Sequence, residues 1–353
     1  MNLLDEIDHA DLMCGDTVAA HIQSHAVIPV EPNLVPLCFR HGGDIEGWLE
    51  HRAIDARRTH SRLLKKVLRL RKRDDLSTAL HFNAATITDN YWVRPEGSDL
   101  VWENVRFRDN DFADLALKGT LADFSKKPSR TPELTNTGSF EKCWRLENGE
   151  WWMYKAENEL ERFSELFVFE LCRALGFPTA EYQNSGAFIR TKDFTRGVLN
   201  FEPAAYLVGD DEDYVTNYEA FQKFGERIAD QYVELLLMDA FCRNADRHTY
   251  NYGLLRDQKT GQVLSMAPNF DHNIALVARG YDDLPRKSDL LMELLVELEG
   301  QTHAVSRYLS RHPKPIITPE LTAQCCIQTG ITVDVDYIQQ FVMAGYKVLD
   351  EIC

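Results

Sequence analysis

Two short polar stretches hold the residues best suited to chemistry: Asn244-Ala245-Asp246-Arg247-His248-Thr249-Tyr250-Asn251 and Ala267-Pro268-Asn269-Phe270-Asp271. Asp246 and Asn251 are five apart, and Asp271 lies twenty beyond Asn251, with the apolar Gly253-Leu254-Leu255 between them. Phosphoryl transfer from a nucleotide asks for these types: a carboxylate to orient or accept the proton of an attacking hydroxyl, and hard oxygen ligands to hold magnesium over the phosphates. Asp246 suits the first role, Asn251 and Asp271 the second. His248 would hold the turn or contact phosphate, and Arg247 would anchor the loop on a carboxylate. The plainer reading is an Asn/Asp-rich loop that caps helices around a structural histidine. The D-x4-N spacing alone does not decide between them; the residues upstream do.

Those residues come in a telling order. Thr135-Asn136-Thr137-Gly138-Ser139-Phe140-Glu141-Lys142 forms a turn whose backbone N–H groups could cover phosphates, with Gly138 permitting close approach. Cys143 to Leu146 and Trp151 to Lys155 flank Glu147-Asn148-Gly149-Glu150, a hairpin signal with Asn-Gly in the turn. Lys155, at the end of the second strand, is placed to hold the α- and β-phosphates. A helix is expected from about 158 to 175, ended by Gly176-Phe177-Pro178. It carries Glu165 as partner for the lysine, with Glu161 and Glu170 near enough in sequence to compete. Loop, strand, turn, strand with Lys and helix with Glu is the order of a kinase small lobe. It separates this chemistry from that of a phosphatase or nuclease.

The elements that must position these groups follow from the hydrophobic pattern. Ala187-Phe188-Ile189 and Gly197 to Phe201 continue the strand-rich part, and from about Glu219 the chain reads mainly helical. The stretch from Ala229 to Phe241 is apolar enough to be a buried core helix, and it leads directly into Asn244. The expected fold is therefore α+β and two-lobed. Residues 129–208 would form a strand-rich small lobe and residues 209–353 a helical large lobe. The polar Ser125 to Pro132 would link residues 1–128, an extra N-terminal region, to the rest. In that region Thr86 to Val93 reads as a strand closed by a turn at Pro95-Glu96-Gly97, and Val101-Trp102-Glu103 starts another apolar element. A basic, helical stretch over 51–73 holds ten Lys and Arg residues. It suits a nucleic acid or an acidic partner through residues 53–73, but a solvated face paired with the chain's own carboxylates is the favoured reading.

Bulk properties exclude some classes. The 353 residues, 44% hydrophobic and 27% charged, have an ordinary globular composition and a net charge of -16, which disfavours nucleic-acid binding over the whole surface. No run of about 18 apolar residues predicts a membrane span, and the acidic start resembles no signal peptide, so a cytoplasmic protein is expected. The eight cysteines show no CxxC spacing and read as reduced, buried thiols.

Taken together, these motifs resemble the HipA-like serine/threonine kinases of bacterial toxin–antitoxin systems, over roughly residues 134 to 272. Thr137 to Lys142 is similar to the family's phosphate-binding loop, Lys155 to its nucleotide lysine and Glu165 to its helix glutamate. Asn244 to His248 with Asn251 is similar to the catalytic loop, and Pro268-Asn269-Phe270-Asp271 to the metal-binding turn. The Asp-Arg-His-x-x-Asn form is also similar to that of phosphatidylinositol kinases. The resemblance implies an ATP- and Mg-dependent kinase with Asp246 as base and Asn251 and Asp271 as metal ligands. Thr137, Gly138, Ser139, Phe140, Glu141, Lys155 and Glu165 would serve the nucleotide. Phe201 and Glu202, which end a strand before the chain turns helical, would form the hinge at adenine. The resemblance also implies autophosphorylation in the phosphate-binding loop, with Thr135, Thr137 and Ser139 as acceptors, and raises an antitoxin or other regulatory partner besides a protein substrate. The N-terminal 128 residues are longer than the family's short N-terminal subdomain.

Two further readings stay open. One is a kinase of the same fold acting on a lipid or other small molecule. The other is a nucleotide-binding regulatory module without catalysis, against which the intact Asp246, Asn251 and Asp271 weigh.

Overall fold

The computed structural model describes residues 7–53, 60–61, 64–65, 75–106, 108, 113–119, 141–282 and 286–352. It is a mixed helix and sheet protein with two compact units, the first formed by residues 1–156, 190–202 and 255–264 and the second by the remainder. No helix among the described residues is long and apolar enough to cross a membrane. The α+β class expected from the sequence is what the chain adopts.

Unit 1 opens with β1 (Asp11–Cys14), β2 (Thr17–Gln23) and β3 (Ala26–Pro29), which join β4 (Tyr91–Arg94) in an antiparallel sheet of order β3-β2-β1-β4. Gly15, at φ 56°, makes the two-residue turn between Cys14 and Thr17 possible. Helices α1 (Leu37–Arg40), α2 (Ile45–Glu50), α3 (Asp75–His81), α4 (Trp102–Val105) and α5 (Ala113–Lys118) complete the N-terminal part. Met13, Ala85, Trp92 and Val105 form a dry core there, so Trp92 belongs to packing.

The strand expected from Thr86 to Val93 is shorter than its β-branched composition suggests. Side chains take the backbone partners first: Asn200 Oδ1 accepts the Asn90 N–H at 2.8 Å, and Asp89 accepts that of Tyr91 at 2.9 Å. Most of the basic 51–73 stretch lies outside the described residues. Its described cations are inward and paired. Arg52 is buried, forked onto Asp89 at 2.8 and 2.6 Å and stacked 4.3 Å from the Trp48 ring. Lys65 reaches Asp75 at 3.0 Å.

The expected hairpin is present as β5 (Lys142–Glu147) and β6 (Glu150–Lys155), in register from Glu147↔Glu150 to Lys142↔Lys155. Asn148 at φ 52° and Gly149 at φ 82° supply the two left-handed positions that a tight hairpin turn demands. β7 (Tyr182–Ser185) leads through Gly186 into β8 (Phe188–Lys192), which lies beside β6. β9 (Leu199–Pro203), β10 (Gly253–Asp257) and β11 (Val263–Met266) form a sheet of order β11-β10-β9. Its unit 1 part centres on Arg256, fully buried against Glu202.

Unit 2 is built on two 17-residue helices, α6 (Glu159–Leu175) and α9 (Glu226–Cys242). α6 begins in a reciprocal capping box between Asn158 and Glu161 and ends at Gly176 in the left-handed region, as its sequence signals require. Between them stand α7 (Ala205–Val208) and α8 (Tyr214–Gln222). α9 is buried on nearly every side, which its continuous apolar run dictates. α10 (Leu290–Thr302), α11 (Ala304–Arg311), α12 (Pro319–Gln328), α13 (Val335–Tyr346) and α14 (Val348–Ile352) complete the helical part.

Candidate active site

The loop from Asn244 to Asn251 starts where α9 stops. Arg243 turns the chain out of the helix in the left-handed region, its N–H capping Asp239 O. The loop then folds on itself: His248 N–H donates to Asp246 O at 3.0 Å, and Asn251 N–H to His248 O at 2.8 Å. The Tyr250 N–H donates to His248 Nδ1 at 3.3 Å, which gives the imidazole a turn-holding role and puts the proton of its neutral form on Nε2. Asn251 is buried and donates through Nδ2 to Asp246 O at 3.1 Å. That bond fixes which end of the amide faces the loop and turns Oδ1 to the other side. Asp246 itself is exposed, so its carboxylate is accessible to a substrate hydroxyl.

Arg247 joins this loop to the second motif. Its guanidinium is buried and forked onto Asp239, with Nε–Oδ2 2.8 Å and Nη2–Oδ1 3.0 Å. The remaining Nη1 donates to two carbonyls at once, Asn251 O at 2.7 Å and Phe270 O at 2.8 Å. One planar cation thus sets the spacing between the segments bearing Asn251 and Asp271. Burial pulls the Arg247 pKa down, but the Asp239 charge and hydrogen bond outweigh it and the net shift is upward. Asp239 also takes the Asn244 side-chain amide at 3.1 Å. Sequence reasoning anticipated that Arg247 would find a carboxylate but not which one. A signal existed: Asp239 is a lone acid inside Leu235-Leu236-Leu237-Met238-Asp239-Ala240-Phe241, and a charge so buried needs a partner.

The turn with Asp271 is fixed as firmly. Asp271 is partly buried and sits at φ 61°, a left-handed conformation that aspartate tolerates better than most residues. Tyr182 Oη accepts its N–H at 2.9 Å, and Glu165 Oε2 accepts the next one, His272 N–H, at 2.9 Å. Asn269 makes a parallel bridge with Thr179, and its Nδ2 points at Cys172 Sγ, 3.7 Å away. Burial pushes that thiol up to about 12, so it is held as a neutral S–H. Glu165, expected from the sequence to partner Lys155, is fully buried and serves this turn; Tyr182 had no sequence signal for its role.

Asp246, His248, Asn251, Asp271 and Glu165 all fall in unit 2, while Glu141, Lys155, Phe201 and Glu202 fall in unit 1. Thr135, Thr137, Gly138, Ser139 and Phe140 lie outside the described residues. Lys155 is buried at the last position of β6, opposite Lys142. Glu141 Oε1 accepts the His60 N–H at 3.1 Å. Phe201 stacks edge-on against Phe194, centroids 5.7 Å apart, and donates its N–H to Thr88 O at 2.9 Å. The Glu202 carboxylate is committed inside unit 1, to Arg256, to Tyr91 Oη at 2.7 Å and to the Leu37 N–H at 2.5 Å. Unit 1 also holds a cleft of about 860 Å³, walled by Trp102, Trp151, Lys192 and Arg196, that none of the described candidate site residues line.

Magnesium fits the unit 2 residues by donor chemistry. An amide oxygen and a carboxylate are hard ligands, and magnesium commonly takes one or two carboxylates and completes its shell with substrate phosphates and water. Among the described residues no group of three or more His, Cys, Asp and Glu is arranged to hold a metal unaided.

No family model matches this chain, and no curated protein does. Solved structures do. HipA of Shewanella oneidensis MR-1, determined with HipB and its operator DNA, is 13% identical and aligns over 97% of this chain and 99% of its own with a TM-score of 0.56. The proinflammatory kinase CtkA of Helicobacter pylori, 15% identical, aligns over 60% of this chain and 95% of its own, with a TM-score of 0.37 that does not define a shared fold. The HipA likeness runs the length of both chains, and at that identity it is a likeness of architecture: this chain has a HipA-like kinase fold.

Proposed function

We propose that this chain is an ATP- and magnesium-dependent kinase of HipA-like type that phosphorylates serine or threonine hydroxyls of a protein. The observation that carries the reading is the double donation of Arg247 to Asn251 O and Phe270 O, which ties the segment bearing Asn251 to the segment that leads into Asp271, in a loop whose Asp246 is exposed. A loop that merely capped helices would have no need of a buried cation spanning both motifs. The HipA-like fold supports the reading independently.

In this proposal Asn251 Oδ1 and the Asp271 carboxylate hold the magnesium, which neutralises phosphate charge when bound. Lys155 pairs with the α- and β-phosphates, and Glu141, with the segment 137–140, covers them. Asp246 orients the acceptor hydroxyl and takes its proton as the new O–Pγ bond forms and the bond from Pγ to the β-bridging oxygen breaks. Thr135, Thr137 and Ser139 are the acceptors proposed for autophosphorylation. An antitoxin-type partner belongs to the same reading, since the matched HipA was solved with HipB and operator DNA. The test is incubation with radiolabelled ATP and magnesium, followed by intact-mass analysis. Incorporation by the wild type and its loss in Asp246→Asn and Asp271→Asn is expected. Equal incorporation by wild type and Asp246→Asn would remove Asp246 from the mechanism.

A further inference from the structure

The carbonyl end of α9, from which the candidate catalytic loop departs, is closed by the segment that follows the Asp271 turn. Leu276 N–H donates to Cys242 O at 2.8 Å. Arg286 then donates through Nη1 to Phe241 O at 2.8 Å and through Nη2 to Ala240 O at 2.6 Å. Three successive carbonyls that the helix cannot satisfy internally are thus taken by one downstream stretch. The Arg286 side chain is buried, and its other contacts hold it to that task. Nε reaches Asp289 Oδ2 at 2.8 Å, and the guanidinium lies 4.9 Å from the centre of the Phe341 ring on α13. Asp289 in turn caps α10, accepting the Met292 N–H at 3.3 Å. The exposed Arg243, the residue that turns the chain into the loop, pairs with Asp282 at 3.3 Å.

Gly345, on α13, shows how tightly the guanidinium is enclosed. A Cβ there would lie 2.4 Å from Arg286 Nη1 and 2.7 Å from both Ala240 O and Phe241 O. Only glycine lets α13 pass this close. Elsewhere a cation at a helix C-terminus is an exposed side chain worth a few tenths of a kcal/mol to about 1 kcal/mol. Here the cation is interior, it comes from the segment downstream of the metal-ligand turn, and the next residues along the chain bear Asp246.

We infer that Arg286 is a positioning residue: together with Leu276 and Asp289 it locks the end of α9, and through it the loop bearing Asp246 and Asn251, so that loss of its hydrogen bonds releases the loop. The inference deepens the kinase reading and rests on it for its catalytic consequence, while the lock itself can be measured without catalysis. Burial pulls the Arg286 pKa down, and Asp289 offsets only part of that, so the net shift is downward.

Two variants reach the lock from opposite sides. Arg286→Met removes the guanidinium, and Gly345→Ala pushes it aside while keeping every charge. Both should raise amide exchange over residues 240–251, with the β5–β6 hairpin amides unchanged. Both should lower kcat for ATP-dependent phosphorylation roughly ten- to a hundredfold, the scale of a loop misplaced by about an ångström, with KM for ATP held within about twofold. Asp282→Asn, which disturbs only the exposed pair, should leave both readouts near wild type. Unchanged exchange over 240–251 in folded Gly345→Ala would overturn the lock. A parallel rise in exchange across α6 and residues 226–239 of α9 would overturn it as well, showing a merely structural cap. If the wild type transfers no phosphate, the kinase reading fails and the exchange data still decide the lock.

Discussion

Two buried arginines, one in each unit, use the same chemistry for different ends. Arg256 in unit 1 pairs with Glu202, and both side chains are fully buried; Arg247 in unit 2 pairs with a fully buried Asp239. The N–H groups left over make the difference. Arg256 spends them on Gly261 O at 3.0 Å, Val35 O at 3.1 Å and Asn33 O, stapling the N-terminal stretch to the β10–β11 hairpin. Gly261 is obligatory in that staple, because a Cβ would stand 1.7 Å from Asn33 O. Arg247 spends its spare N–H groups on the two carbonyls that bracket the candidate metal ligands. A buried ion pair therefore does not announce its role. The role lies in what the guanidinium touches besides its carboxylate, and it follows that breaking the first pair should unfold the protein while breaking the second should also disarm it.

The contrast can be broken or sharpened by mutation. The largest effect is expected at the group that would do the chemistry. Asp246→Asn should reduce phosphoryl transfer by roughly 10²- to 10⁴-fold at unchanged stability, read by single-turnover incorporation of label. Arg256→Met should cost about 3–5 kcal/mol in denaturant unfolding, because it strands a buried carboxylate. Its kcat per folded molecule should remain within about threefold of wild type, and a larger fall would erase the distinction between the two arginines. A raised KM for ATP in that variant would instead tie the Glu202 main chain to the nucleotide. Arg247→Met should show a comparable loss of stability together with a fall in kcat of about a hundredfold. Asn158→Ala, which removes the N-cap that accepts Leu160 and Glu161 N–H, should cost about 1 kcal/mol and leave kinetics alone.

The smallest effect concerns acid stability. Asp230 lies beside Arg311 and His312; burial raises its pKa, but hydrogen bonds from those two residues outweigh this and the net shift is below the ordinary value of 3.8. A carboxyl depressed on folding contributes stability that is present above its unfolded pKa and lost as pH falls through the folded one. Asp230→Asn should therefore flatten the unfolding free energy between pH 5 and pH 2 by up to about 1 kcal/mol, the pair being partly solvated. An unaltered pH slope would show that Asp230 is not its source.

Much of the local structure was legible in the residues. The Asn148-Gly149 turn, the Asn158 cap, the Gly176 stop and the buried α9 each follow from conformational preference or periodicity acting over a few neighbours. Thr86 to Asn90 was misjudged as strand because Asn200, 110 residues away from Asn90, supplies the partner that replaces a ladder bond. Arg52 and Lys65 belonged to a stretch read as a solvated face, and burial against Asp89 and Asp75 could not be seen from charge counts.

The same division runs through the candidate site. Sequence by itself supplied the candidates: Asp246, Asn251 and Asp271 are oxygen donors of the kind that phosphoryl transfer needs, and their order with Lys155 and Glu165 pointed to a kinase-like fold. Tertiary structure decided what holds them. Asp239, Tyr182 and Arg286 were chosen by the packing of α9 and the segments around it, and Glu202 was drawn into a staple with Arg256. The reason is physical. Reactivity belongs to a side chain and is written in one letter, whereas the partner of a buried charge is whichever group the fold brings within about 3 Å, and no spacing along the chain encodes that distance.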